Sequence, residues 1–332
     1  MRQYVIGVDG GGTKTHYALC DTAGELLAFW RGGCANHEMC PDGYSGVRRE
    51  LEPSLDRLLR EGGVSRDAIA FLYLGLAGVD VAAQRDALAA LVREIGFARF
   101  QIVNDAFLGI KAATRHGYGV CSINGTGTCC AAIDRRGAAL QIGGTGYYFG
   151  DEGGGGHLGG MAFRRVYDSL YRCGPPTLMQ ELLYEVLQIE AGADLTEAVY
   201  RRQMQQNWTP LARLPFLAAN QGDPVALELL RHTGREAARA VAGAIRRLDF
   251  DAVAEVEVVM AGSLYLKGEH PALTEAFAAE ARSLAGERLR FIRLAVPPVS
   301  GAVCGALEAL GIPLDAAARE RVRRSFTALP DV

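Results

Sequence analysis

A strand–glycine–strand unit written twice constrains this chain more than any other feature. The first copy is VDGGGTKTHYALCDTAGELLA, from Val8, and the second is SINGTGTCCAAIDRRGAALQ, from Ser122. Both carry an acidic or amide residue (Asp9, Asn124), a Gly/Thr turn, an apolar strand, an aspartate (Asp21, Asp134) and a turn glycine (Gly24, Gly137). The copies lie 115 residues apart at Gly10 and Gly125 but 113 apart at Asp21 and Asp134, so the second is shorter by two. Side chains alternate across a strand with period two, and a loss of two residues keeps each one on its own sheet face. The pattern predicts an internal duplication.

The glycines invite comparison with a phosphate-binding loop that opens a helix, which requires G-x-x-x-x-G-K-[ST]. Gly7 and Gly12 have that separation, yet Thr13 stands where lysine is needed and Lys14 comes one residue late. Beyond the glycines, His16 to Cys20 are strand-like, and the turn DTAGE leads to a third run, LLAFW. A β-meander is expected, which excludes the P-loop and the Rossmann fingerprint.

Downstream, Val47, Leu51, Leu55, Leu58 and Leu59 mark a helix that stops at Gly62–Gly63. A buried strand AIAFLYLGLAGV, a helix from about Val81 to Ile95, a short strand FQIVNDA and a helix from about Ala106 to Thr114 complete the first half. After the second meander come long helical stretches, the strand EVEVVMAGSLY, a further helix, the strand LRFIRLAV, and PPVSGAVCGALEALG, a helix with small residues on one face. The order βββαβαβα, given twice, predicts two α/β domains facing a cleft. We place them at 1–115 and 116–332, with the last helix free to pack back on the first.

A length of 332 residues suits two cores. The net charge of −3 offers no basic field, so nucleic acid is not an expected partner. No run of 18 apolar residues suggests a membrane span, and the opening run is too soon charged for a signal peptide. The eight cysteines form no C-x-x-C pair and read as the reduced, small hydrophobes of a cytoplasmic protein.

GVDGGGTKT, SINGTGTC, VVMAGSL and VSGAVCGAL, in that order over nearly the whole chain, resemble the two phosphate hairpins, the adenosine turn and the connecting helix of the sugar kinase, actin and Hsp70 superfamily. Within it, ANH (35–37), VNDA (103–106) and GDEGGGGHLGG (150–160) resemble the N-acetylglucosamine kinase and BadF/BadG-type ATPase family. The C-x-C-G-x-x-G-C zinc loop of the ROK sugar kinases is absent. The resemblance implies two ribonuclease H-like, actin-like ATPase domains, ATP with Mg²⁺ as cofactors, an amino-sugar substrate and a homodimer.

Hairpin amides form an anion nest, and glycine lets the backbone approach a phosphate. Gly10, Gly11, Gly12 and Thr13 in the first copy, and Gly125, Thr126 and Gly127 in the second, are the candidate phosphate ligands. Asp9 is the candidate Mg²⁺ residue or else a turn former; its counterpart Asn124 is neutral, so only one half supplies charge. Ala261, Gly262 and Ser263 are expected against adenosine. Asp105 is either a helix N-cap or the base that deprotonates the attacking hydroxyl. By resemblance, Asn36, Thr128, Cys129, Gly144, Thr145, Gly146 and Asp151 contact the sugar, with Asp105. Where the animal sugar kinases of the family carry a tryptophan, this region has Thr145, Tyr147 and Tyr148, and Thr128–Cys129 replaces a Ser–Asn pair. Asp151 and Glu152 also suit a metal pair.

The expected activity is transfer of phosphate from ATP to the 6-hydroxyl of N-acetylglucosamine. Glucosamine kinase is the second reading. The third is a redox-activating or regulatory ATPase; a redox activator would need an iron–sulfur cluster, and Cys129 and Cys130 are adjacent, face opposite sides of a strand and cannot both hold one, which leaves a clusterless ATPase as the form of this reading.

Overall fold

A computed structural model describes residues 2–204, 207–327 and 329. The first half contains β1 (Tyr4–Gly10), β2 (Thr15–Asp21), β3 (Leu26–Gly32), α1 (Gly43–Gly62), β4 (Ile69–Leu76), α2 (Ala82–Glu94), β5 (Phe100–Val103) and α3 (Ala106–Ala113). The second β-meander is β6 (Gly119–Asn124), β7 (Thr128–Ile133) and β8 (Ala139–Ile142). Helices α4 (Gly154–Tyr171), α5 (Met179–Leu187), α6 (Leu195–Arg201), α7 (Leu214–Asn220) and α8 (Pro224–Arg247) come after it. The chain continues with β9 (Val256–Ala261), α9 (Ser263–Leu266), α10 (Ala272–Ala285), β10 (Leu289–Arg293), α11 (Val299–Ala309) and α12 (Ala316–Phe326).

The two sheets repeat one topology. Their orders are β3-β2-β1-β4-β5 and β8-β7-β6-β9-β10. β1 pairs antiparallel with β2, from Tyr4 opposite Asp21 to Gly10 opposite Thr15, and parallel with β4. The duplication extends to individual hydrogen bonds. Asp21 Oδ1 accepts the amides of Ala23 and Glu25, and Asp134 Oδ1 accepts those of Arg136 and Ala138. Gly24 (φ 88°) and Gly137 (φ 82°) hold the left-handed position in each turn, where a side chain would be strained. The missing pair of residues lies in the hairpin turn: four residues, 11–14, separate Gly10 from Thr15, whereas two, 126–127, separate the matching Gly125 from Thr128.

By contacts the chain forms two compact units. The first runs to Cys121, takes in Ala131–Leu140 and resumes at Leu294; the second holds Ser122–Cys130 and Gln141–Arg293. Helices α11 and α12 therefore belong to the first unit.

All seven residues of β2 are buried because the first sheet is covered on both faces. Ile6, Val8, Tyr17 and Leu19 pack with Val47, Leu51 and Leu55 of α1. Val5, Ala18 and Cys20 on the other face pack with Val303 and Leu307 of α11. The small residues of α11 permit this approach: a Cβ on Gly7 would lie 2.8 Å from the Val303 amide, and one on Gly301 would collide with the Leu108 carbonyl. The helix docks backbone to backbone. Helix α12 closes over it through Arg319, only 2% exposed, which pairs with Glu308 and donates to the Lys111 carbonyl.

Candidate active site

In the first unit the β1–β2 hairpin turns through Gly11–Lys14, with the Gly11 amide donating to the Lys14 carbonyl. Gly10 is spoken for: its carbonyl accepts the Ala77 amide, and a Cβ there would lie 2.5 Å from Leu76 Cδ2. It shapes the turn. Among the described residues the amides of Gly12 and Thr13 donate to no protein acceptor, and Thr13 is exposed. These two are the free donors of the nest.

Asp9, one residue earlier, has an 18% exposed side chain, and His16 Nδ1 lies 3.8 Å from its carboxylate, too far for a hydrogen bond. At the end of β5, Asn104 takes two partners. Its Nδ2 donates to Asp80 Oδ1 at 3.0 Å and its Oδ1 accepts the Ala106 amide at 3.0 Å. That second bond is the one an N-cap residue makes, and Asp105, already helical at φ −58° and ψ −28°, makes no side-chain cap. The Asp105 carboxyl does not cap the helix, although the Ala106 amide and its own amide still act to lower its pKa. Burial, then the charges of Asp9 and Asp80, push its pKa up to about 7.

Asn36 is 8% exposed and sits in a tight loop whose backbone carbonyl accepts the Met39 and Cys40 amides. Its Oδ1 accepts the Glu38 amide at 2.9 Å, so Nδ2 is the end it can offer a ligand. Gly78 (φ 80°) packs against it; a Cβ there would come 2.6 Å from Asn36 Oδ1. His37 stacks on Tyr44, ring centroids 4.5 Å apart, which is a supporting role.

In the second unit the hairpin after β6 is tied to the start of α4. Asn124 Oδ1 accepts the Gly154 amide at 2.6 Å, and the Gly125 and Thr126 carbonyls accept those of Gly155 and Gly156. The Gly125 amide donates to the Gly127 carbonyl; Thr126 and Gly127 are exposed. Gly262 (φ 94°) lies flat on this hairpin, where a Cβ would meet the Asn124 carbonyl at 2.5 Å. The glycine turn after β9 and the second hairpin thus touch directly.

Beside them is a cavity of about 300 Å³ lined by Gly155, Thr209, Pro210, Phe216, Ser263 and Lys267, among others. Ser263 reaches it, whereas Ala261 is buried at the end of β9 and does not line it. Thr209, Pro210 and Lys267 are contributors that sequence reasoning missed, because they come from segments far apart in the chain.

Thr128, Cys129 and Asp151 meet at one shallow recess. Thr128 Oγ1 donates to the Ile123 carbonyl, and Cys129 is half-buried while Cys130 is fully buried, as strand alternation requires. Asp151 accepts the Gly144 amide at 3.0 Å and the Gly146 amide at 2.6 Å, folding the exposed Gly144–Thr145–Gly146 stretch back on itself. Glu152 turns to His232, 2.7 Å away on α8, so the two carboxylates are not a metal pair. No group of three or more His, Cys, Asp or Glu placed to hold a metal occurs among the described residues. A larger cavity, about 580 Å³ between α4 and α8, contains none of the expected site residues. No helix among the described residues is long and apolar enough to cross a membrane.

Comparison with known proteins agrees with this architecture. The chain is 28% identical over 240 residues to an N-acetylmuramic acid/N-acetylglucosamine kinase of Clostridium acetobutylicum, covering 70% of this chain and 76% of the relative. It is 28% identical over 271 residues to an N-acetyl-D-glucosamine kinase of Dictyostelium discoideum, covering 79% and 85%. The crystal structure of a Chromobacterium violaceum structural-genomics target, provisionally named an N-acetylglucosamine kinase, superposes with a TM-score of 0.69 at 25% identity over 91% of this chain and 98% of that one. The profile of one ATPase family matches residues 6–288, and the chain belongs to it: the BadF/BadG/BcrA/BcrD ATPase family.

Proposed function

We propose that the chain is an ATP-dependent kinase that phosphorylates an amino sugar at its 6-hydroxyl, with N-acetylglucosamine as the substrate. The observation that carries this reading is the division of labour at the end of β5, where Asn104 caps α3 and leaves Asp105 uncapped with its pKa at about 7. A carboxylate of that strength can accept a hydroxyl proton near neutral pH, which is what phosphoryl transfer asks of its base. The names of the relatives support an amino sugar as the donor of that hydroxyl.

Each unit contributes what its own geometry offers. The first supplies the Gly12 and Thr13 amides for phosphate, Asp105 as base and Asn36 Nδ2 for a sugar oxygen. The second supplies Thr126 and Gly127 for phosphate, the cavity at Ser263 and Lys267 for adenosine, and Thr128, Cys129 and Asp151 for the sugar. Asp9 fits Mg²⁺, since its carboxylate and that of Asp80 are charges that raise the Asp105 pKa and that a cation would offset. A lone protein carboxylate is enough for an ion that keeps most of its shell as water and phosphate oxygens. When bound, the ion neutralises charge on the transferring phosphate.

A homodimer in the cytoplasm completes the proposal, by resemblance to dimeric sugar kinases; light scattering on the purified chain tests the dimer. The function is tested by coupled ADP release across N-acetylglucosamine, glucosamine, N-acetylmannosamine, N-acetylmuramic acid and glucose. N-acetylglucosamine is expected to give the highest kcat/KM, and ADP release that no sugar stimulates would overturn the kinase reading in favour of a sugar-independent ATPase.

A further inference from the structure

The segment from Cys34 to Cys40 carries Asn36 near its middle and a pair of facing thiols at its ends. Cys40 Sγ lies 3.4 Å from Cys34 Sγ and 3.4 Å from the Cys34 carbonyl. Cys34 is partly exposed, Cys40 is buried, and neither is bonded to another cysteine. The segment also touches the first phosphate turn twice. The Ala35 amide donates to the Gly11 carbonyl at 3.1 Å, and Met39 Sδ covers Gly12 so closely that a Cβ there would collide with it.

We propose that Cys34 and Cys40 form a reversible disulfide that weakens sugar binding by distorting the loop between them. The partner in the reaction is a low-molecular-weight disulfide such as oxidised glutathione. The Cys34 thiolate attacks one of its sulfurs and displaces the first thiolate. The Cys40 thiolate then attacks Cys34 Sγ and displaces the second. Two protein thiols are oxidised, one small disulfide is reduced to two thiols, and the two protons pass from the cysteines to the released thiolates. Exposure makes Cys34 the attacking sulfur. Burial and the neighbouring Cys34 raise the Cys40 pKa to about 11, so it waits as the thiol and attacks only after passing its proton to the released thiolate.

A disulfide needs its sulfurs at about 2.0 Å, so the two must close by more than an ångström. The loop has little slack to absorb this, because the Asn36 carbonyl already holds the Met39 and Cys40 amides at 3.1 and 2.9 Å. The movement therefore reaches Asn36 and, through Met39, the surface of Gly12. The formation of the bond rests on the geometry alone, whereas its effect on sugar turnover rests on the function proposed above.

The test treats the whole protein with oxidised glutathione, an oxidant that spares methionine, and maps non-reduced peptides by mass spectrometry. The expected result is a Cys34–Cys40 linked peptide, a rise of about tenfold or more in the KM for the sugar, and recovery on adding dithiothreitol. Cys34→Ser is expected to keep the basal KM and to lose the response. Modification confined to the exposed Cys173 would overturn the proposal, as would a Cys34–Cys40 bond that leaves both the sugar KM and the ATP-induced thermal shift unchanged. The peptide map and the ATP shift need no sugar turnover, so a failure of the kinase reading is seen separately.

Discussion

Asn104 donates to Asp80 across 24 residues of sequence at 3.0 Å, and through its other side-chain atom it caps the helix that Asp105 would otherwise cap. Removing the bridge should therefore disable a residue that is itself unchanged. In Asn104→Ala the Ala106 amide loses its Asn104 acceptor and turns wholly to the Asp105 carboxylate, on which it already acts. We expect kcat to fall about 100-fold, in the range typical of a lost general base, with ATP binding retained. Asp105→Asn should give a comparable or larger loss. Isothermal titration with ATP alongside steady-state kinetics checks both, and wild-type turnover in Asp105→Asn would remove the base assignment.

The raised Asp105 pKa has consequences of opposite sign for rate and stability. A base works when deprotonated, so kcat/KM for the sugar should rise with pH and level off above about 7. Asp80→Asn removes one of the charges responsible and should move that limb to lower pH. Stability runs the other way. The unfolded carboxyl ionises near its ordinary 3.8, whereas the folded one holds its proton to about 7, so the folded state loses stability as pH climbs between these values. Asp105→Asn should consequently melt higher than wild type at pH 8, with the gap shrinking toward pH 4. Melting curves across that range decide it.

Gly262 joins the nucleotide side to the second hairpin. With φ at 94° and the Asn124 carbonyl 2.5 Å from where a Cβ would sit, alanine is strained and has only backbone to push against. Gly262→Ala should cost about 1–3 kcal/mol of stability and raise the KM for ATP more than that for the sugar. Thermal shift with and without ATP separates the two effects. A variant that folds, melts and binds ATP like wild type would show that the close approach is unimportant.

What could be read from the sequence was local. The β-meanders arise from alternation and from turn residues at fixed offsets, and the Asp21 and Asp134 turns repeat bond for bond because their chemistry lies within five residues. Asp105 was visible as a carboxylate between a strand and a helix, with its role ambiguous. What the sequence did not show is that Asn104, whose partner Asp80 belongs to a different loop, takes the cap position. Likewise, no local pattern announces that Thr209 and Lys267 share a cavity, or that Gly7 of β1 lies against the backbone of α11 while Gly301 lies against α3. Long-range packing decides these, and sequence spacing carries no trace of it.

Arg319 tests how firmly α12 is fastened. Its guanidinium is 2% exposed, faces Glu308 and the Lys111 carbonyl, and leaves Nε without a partner among the described residues. Arg319→Ala strips Glu308 of one cation, although Lys111 remains beside it. The change leaves Glu308, whose side chain is 28% exposed, less compensated and empties the space the buried guanidinium filled, and we expect a loss of about 3 kcal/mol with kcat unchanged below the melting transition. Urea unfolding of the variant measures the loss.

The asymmetry between the two hairpins has a physical cause that a single substitution can expose. Asp9 is 18% exposed and can carry charge, whereas Asn124 at the matching position is fully buried, with Oδ1 on the Gly154 amide and Nδ2 lacking any acceptor among the described residues. A carboxylate in that place would find one donor and a second oxygen with none, so its charged form would be poorly solvated. In Asn124→Asp the pKa should be raised, and the penalty should grow as pH rises above the ordinary carboxyl value, where the unfolded chain ionises and the folded one resists. The variant should lie close to wild type in melting temperature near pH 4 and fall progressively below it by pH 8. A constant difference over that range would mean the buried site tolerates charge, and the neutral residue in the second copy would then need another explanation.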